Sequence, residues 1–165
     1  MSGGVLIAGT GNVFLGDDGF GVEVARRLSE RKLADGVLVR DFGIRGVHLA
    51  YELLDGYDGL VLVDAAPLGE EPPGTLAVIE ASEDVPEGPA SPLDAHSMSP
   101  EVVLGTLRRL GGSVPKVAVV GCQPASLEEG IGLSPAVEAA VDRAVELCAQ
   151  IATEMSEPAG KRTRQ

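Results

Sequence analysis

Val5-Leu6-Ile7-Ala8 runs into Gly9-Thr10-Gly11-Asn12-Val13-Phe14-Leu15-Gly16-Asp17-Asp18-Gly19-Phe20-Gly21, and this stretch decides the fold. A short apolar run bounded by glycine reads as a buried strand. From Gly19 to Arg31 the period changes: Val22, Ala25 and Leu28 recur at the spacing of one helix face. Between the two lies a glycine-rich loop ending in two carboxylates, placed where an acid can cap free backbone N–H groups at the positive end of a helix dipole. Strand, loop and helix in that order are the repeating unit of an α/β sheet.

Outward from this unit the alternation continues. Further strands are expected at Val37–Asp41, Leu60–Val63, Thr75–Ile79 and Val117–Val120. A second helix fits Val47–Leu54. Ser99-Pro100 opens a third, with Val103, Leu107 and Leu110 as its stripe and Gly111-Gly112 as its stop, and Ser134-Pro135 opens a long fourth. The expectation is a three-layer α/β/α sandwich on a mostly parallel, five-stranded sheet. One domain spans residues 1–155, and 156–165, with its basic Lys161-Arg162-Thr163-Arg164 end, is a frayed tail. The segment Ser82–Ser97, acidic and rich in proline, is longer than most connections in a compact domain, a length that points to function.

A formal charge of −12 sets the chain against nucleic acid and anionic membranes, which would repel it at long range. Glycine, aspartate or proline interrupts every apolar run before it could span a bilayer. Cys122 and Cys148 form no CxxC pair and follow no secretory signal, so the expected setting is a reducing, cytoplasmic one, with both thiols as small core residues. No oligomerising stripe is evident, and a monomer is expected.

The ends of the strands carry the chemistry. Asp18 follows the first strand, Asp64 closes the third, and His96 stands just before the third helix. In a parallel sheet all three can reach one edge, the edge at which ligands bind in such folds. Two carboxylates and an imidazole suit a borderline divalent ion such as nickel or zinc, with coordination positions left open. Each residue also has a plainer reading: Asp17 or Asp18 as a helix cap, Asp64 as a strand end, His96 as an exposed histidine, and His48 likewise. Gly9-x-Gly11 invites a nucleotide-binding reading too, with Asp41 near the position of a ribose-binding acid. Against it, Phe14 falls where the third glycine of that fingerprint belongs, and twin carboxylates stand where a pyrophosphate would sit.

Gly9-x-Gly11-Asn12 with Asp17-Asp18-Gly19-x-Gly21-Val22 resembles the signature of the hydrogenase maturation protease family. Three more blocks fit in order: Asp41-Phe42-Gly43-Ile44-Arg45-Gly46, Leu60–Ala65, and Gly121-Cys122-Gln123-Pro124 leading to Gly132-Leu133-Ser134-Pro135. The resemblance implies an endopeptidase that trims the C-terminal extension of a nickel–iron hydrogenase large-subunit precursor after nickel insertion. It implies metal ligands and catalytic residues at Asp18, Asp64 and His96, and a substrate-side loop carrying Asp41, Gly43 and Gly46. Nickel would arrive with the precursor, zinc or a similar ion standing in for it in isolation, and Asp17 is the candidate proton shuttle. Many relatives have glutamate at the position of Asp18, one methylene longer, and a small hydroxyl residue in place of Ile44. A metal-binding chaperone with the same ligands and no cleavage remains the rival from another class.

Overall fold

The computed structural model describes residues 3–81 and 100–157. The elements are β1 (Gly4–Thr10), α1 (Phe20–Leu28), β2 (Val37–Gly43), α2 (Gly46–Leu53), β3 (Tyr57–Ala65), β4 (Leu76–Ala81), α3 (Pro100–Arg109), β5 (Lys116–Cys122) and α4 (Pro135–Ser156). The strands form one five-stranded sheet in the order β2-β1-β3-β5-β4. Each expected strand is present. Ser82–Ser97, with His96, lies outside the described residues, as do Ser99 and the tail from Pro158.

Pairing is parallel from β2 through β1 and β3 to β5, and β4 runs antiparallel to β5. The reason lies in the connections. Parallel neighbours need a crossover long enough for a helix, whereas β3 reaches β4 through the short loop 66–75, which stays at one edge of the sheet.

Side-chain alternation along β1 splits the core into two layers. Val5 and Ile7 join Phe20, Val24 and Leu28 of α1 and Val137, Val141, Ala144 and Cys148 of α4. Leu6 and Ala8 face the other way, onto Leu49 and Leu53 of α2 and Val103, Leu104 and Leu107 of α3. All these side chains are buried, which is the three-layer sandwich expected, and each large one contributes roughly 1.5–3 kcal/mol. Cys122 and Cys148 are both buried and free.

Two expectations about helix ends change. α1 begins at Phe20 with Gly19 at its N-cap, behind a 3-10 turn over Gly16–Gly19, so neither aspartate caps it with its side chain. Ser134 does sit at the N-cap of α4, but its side chain makes no capping bond there. Both Asp17 and Ser134 are used elsewhere. α1 also lies unusually close to the sheet: a Cβ on Gly21 would come within 2.1 Å of the Val63 carbonyl oxygen and 2.5 Å of that of Thr10. Only glycine permits this approach, and it brings the turn carrying Asp18 against the end of β3.

Candidate active site

The loop from Gly11 to Gly19 is built by its own backbone. Gly11 N–H donates to the Gly43 carbonyl (2.9 Å), Leu15 to Asn12 (3.1 Å), Gly16 to Gly130 (2.8 Å), Asp17 to Ser126 (3.0 Å) and Asp18 to Leu15 (3.1 Å). Asn12 N–H donates to Asp18 Oδ2 at 2.8 Å, and Phe14 N–H to Asn12 Oδ1 at 2.9 Å. These amides are therefore committed within the protein, and an anion would find few of them to bind. Gly11 itself has φ +136°, and a Cβ there would lie 1.9 Å from the Asp18 carbonyl oxygen and 3.5 Å from Asp64 Oδ1. The glycine that suggested a phosphate cradle instead makes room for the two acids.

Asp18 and Asp64 thus converge at the carboxyl edge of the sheet, as expected from the sequence. Asp64 Oδ1 is buried and has no hydrogen-bond partner among the described residues. Burial and the neighbouring Asp18 carboxylate push the Asp64 carboxyl from an ordinary 3.8 up to about 8, and bonding from Thr10 and the Ala65 amide offsets only part of this. Thr10 is fully buried, and the bond its hydroxyl donates goes to the Val63 carbonyl at 3.2 Å. An acceptor oxygen held dry, without a donor and beside a second carboxylate, fits a bound cation, which would relieve both burial and repulsion.

His96 lies outside the described residues, and among the described residues no group of three or more His, Cys, Asp or Glu is arranged to hold a metal. α3 ends at Arg109, close in sequence to the start of β5 at the amino edge, and its Val103, Leu104 and Leu107 lie along the sheet. Its first turn therefore opens at the carboxyl edge, and His96 precedes that turn by four residues.

Asp17 takes a role the sequence reading missed. It is 1% exposed, and its carboxylate accepts from Ala125 N–H (2.7 Å), Ser126 N–H (3.2 Å), Ser134 N–H (2.7 Å) and Ser134 Oγ (2.9 Å). Burial works to raise its pKa, but the donors from Ser134, Ala125 and Ser126 together hold it below the usual carboxylate value. A buried carboxylate whose oxygens are taken up by four donors is badly placed to shuttle a proton, which corrects the role expected for it. It is a latch that ties the first loop to the segment before α4.

Asp41 is exposed and shapes its own turn: its Oδ1 accepts Gly43 N–H at 2.8 Å, and Gly43 adopts φ +56°. Arg45 closes the turn by donating to the carbonyls of Phe42 (3.1 Å) and Asp41 (3.0 Å). Through the bond between Gly43 and Gly11 this turn borders the two acids, and Gly46 opens α2 beside it. On the other side Gln123 Oε1 accepts Leu68 N–H, holding the 66–75 loop to the end of β5. His48 is exposed on α2.

A sequence model described as hydrogenase maturation protease matches residues 22–151. The chain belongs to the hydrogenase maturation protease family. It is 34% identical over 143 residues to the hydrogenase 2 maturation protease of Escherichia coli strain K12, covering 86% of each chain. It is 38% identical over 146 residues to a hydrogenase expression/formation protein of Cupriavidus necator, covering 86% of this chain and 70% of that one. Its structure resembles that of a hydrogenase maturating endopeptidase from E. coli, with a TM-score of 0.76 at 33% identity over 92% of this chain and 93% of that one. The family is one of proteases, so the carboxyl edge bearing Asp18 and Asp64 is read as the candidate active site of an endopeptidase. No helix among the described residues is long and apolar enough to cross a membrane.

Proposed function

We propose that this chain removes the C-terminal extension of a nickel–iron hydrogenase large-subunit precursor once nickel has been inserted. The observation that carries the reading is the buried, unpartnered Asp64 Oδ1 beside the Asp18 carboxylate. Burial and the Asp18 charge raise the Asp64 carboxyl in the metal-free protein, and a cation brought to this pair would relieve both.

Asp18 and Asp64 would then complete the coordination of nickel presented by the precursor, with His96 as third donor. Nickel supplies Lewis acidity, polarising the peptide carbonyl brought beside it. Asn12 N–H fixes Asp18 Oδ2, and Asp64 Oδ1, without a donor among the described residues, is left for the ion. Asp41 to Gly46 borders the site, where the extension would lie. Zinc or a related ion is expected to occupy the same donors in isolation, and the setting consistent with nickel-loaded precursor is the cytoplasm.

The test is incubation with nickel-loaded and nickel-free precursor, followed by intact mass. Loss of the C-terminal peptide is expected from the loaded form only. Asp18→Asn, Asp64→Asn and His96→Ala should each slow it by roughly 100-fold or more, since even the partners of metal ligands are worth about 10–100-fold. Equal cleavage of nickel-free precursor, or full-rate cleavage by Asp64→Asn, would sink the proposal. Nickel-dependent binding without any release of peptide would favour a metal-binding chaperone.

A further inference from the structure

Half of the large apolar side chains exposed among the described residues gather around the candidate site. Val13 and Phe14 lie on the first loop, Ile44 and Val47 on and just after the β2 turn, and Leu127 and Ile131 on the segment before α4. Phe14 is 63% exposed, Ile44 64% and Ile131 78%. Their backbones are tied to one another. Gly130 N–H donates to the Phe14 carbonyl at 2.9 Å and Gly16 N–H to Gly130 at 2.8 Å, which sets Ile131 beside Phe14. Gly11 N–H donates to Gly43, which sets Ile44 on the other flank, and the Asp17 latch fastens Ala125, Ser126 and Ser134 to the same loop. Large apolar side chains held open in fixed positions mark a recognition surface rather than a defect of packing.

The charge around this ring is predominantly negative. Asp41, Glu70, Glu71, Glu128 and Glu129 are exposed on the loops of this edge. The cation in the described part of those loops, Arg45, donates to the Phe42 and Asp41 carbonyls. We propose that the collar formed by Phe14, Ile44 and Ile131, with its acidic surround, is the docking surface for the protein substrate, and that it seats an apolar segment flanked by basic residues. This rests on the endopeptidase reading and is continuous with the Asp18–Asp64 site, since the same loop carries Phe14 and Asp18. Affinity is supplied by the collar, and the carboxylates act only once the substrate is seated. A few central apolar anchors commonly dominate such an interface.

The test compares wild type with Phe14→Ser/Ile131→Ser and Ile44→Ser, using nickel-loaded, full-length precursor. Leu110→Ser, an exposed apolar residue just beyond the far end of α3, is the control. The collar variants should raise KM by about tenfold or more while kcat stays within about twofold, with the same loss in direct binding and an unchanged Tm. The Leu110 control should leave KM alone. Collar variants with wild-type KM and binding, or an equal loss in the Leu110 control, would overturn the assignment. So would sedimentation showing a wild-type dimer that the collar variants make monomeric, for then the face belongs to a second copy of the chain. If wild type binds precursor through the collar yet releases no peptide, the docking surface stands and the endopeptidase reading falls.

Discussion

At residue scale, adjacent aspartates have opposite uses. Asp17 is buried and saturated with donors, whereas Asp18 Oδ1 has no hydrogen bond among the described residues and lies beside the buried Asp64. Asp64 has a consequence for stability. Its folded pKa is raised from 3.8 to about 8, so the native chain holds this proton more tightly than the unfolded one. The stability linked to it is fully present below about pH 4 and is lost as pH rises through about 8. Asp64→Asn should therefore stabilise the metal-free protein most at mildly alkaline pH, by about 1–2 kcal/mol or roughly 2–8 °C in Tm, and flatten the decline between pH 4 and 8. Thermal melts of both proteins across that range check it. A parallel offset at every pH would refute it. Such a gain in stability with loss of cleavage is the signature of a functional residue kept at the fold's expense.

Among the elements, the connection before α4 depends on a carboxylate over a hundred residues away. Ser134 stands at the helix start, where a serine ordinarily caps, but its hydroxyl is given to Asp17. Asp17→Ala would strand the amides of Ala125, Ser126 and Ser134 together. It should destabilise the protein by about 2–4 kcal/mol, read as a lower urea midpoint at unchanged slope. A change under about 0.5 kcal/mol would mean that the latch is not needed. α1 and α4 are joined further along by Arg27, which bridges Glu23, Glu138 and Asp142. The helices themselves were legible from their periodicity and their serine, proline and glycine punctuation. These ties were not, because they join segments that meet only after the sheet has formed.

For the whole molecule, the −12 charge and the acidic carboxyl edge make association with a basic partner a screened, long-range attraction. Raising ionic strength from about 0.01 to about 0.15 M shortens the Debye length from about 30 to about 8 Å, and kcat/KM on precursor should fall about tenfold over that range while kcat holds. A flat salt profile would leave recognition to apolar contact alone.

Local pattern was enough to set the strand and helix order, the two-faced core and the convergence of Asp18 with Asp64 on one edge. Hydrophobic period and strand direction are local or topological properties, and they survive without knowledge of distant contacts. The antiparallel turn of β4, the fate of Asp17, the role of Gly11 and the grouping of Phe14, Ile44 and Ile131 were decided only by the tertiary structure. Each depends on which segments lie side by side. A carboxylate becomes a latch or a ligand according to the donors the fold brings within about 3 Å of it, and residue order alone does not state those distances.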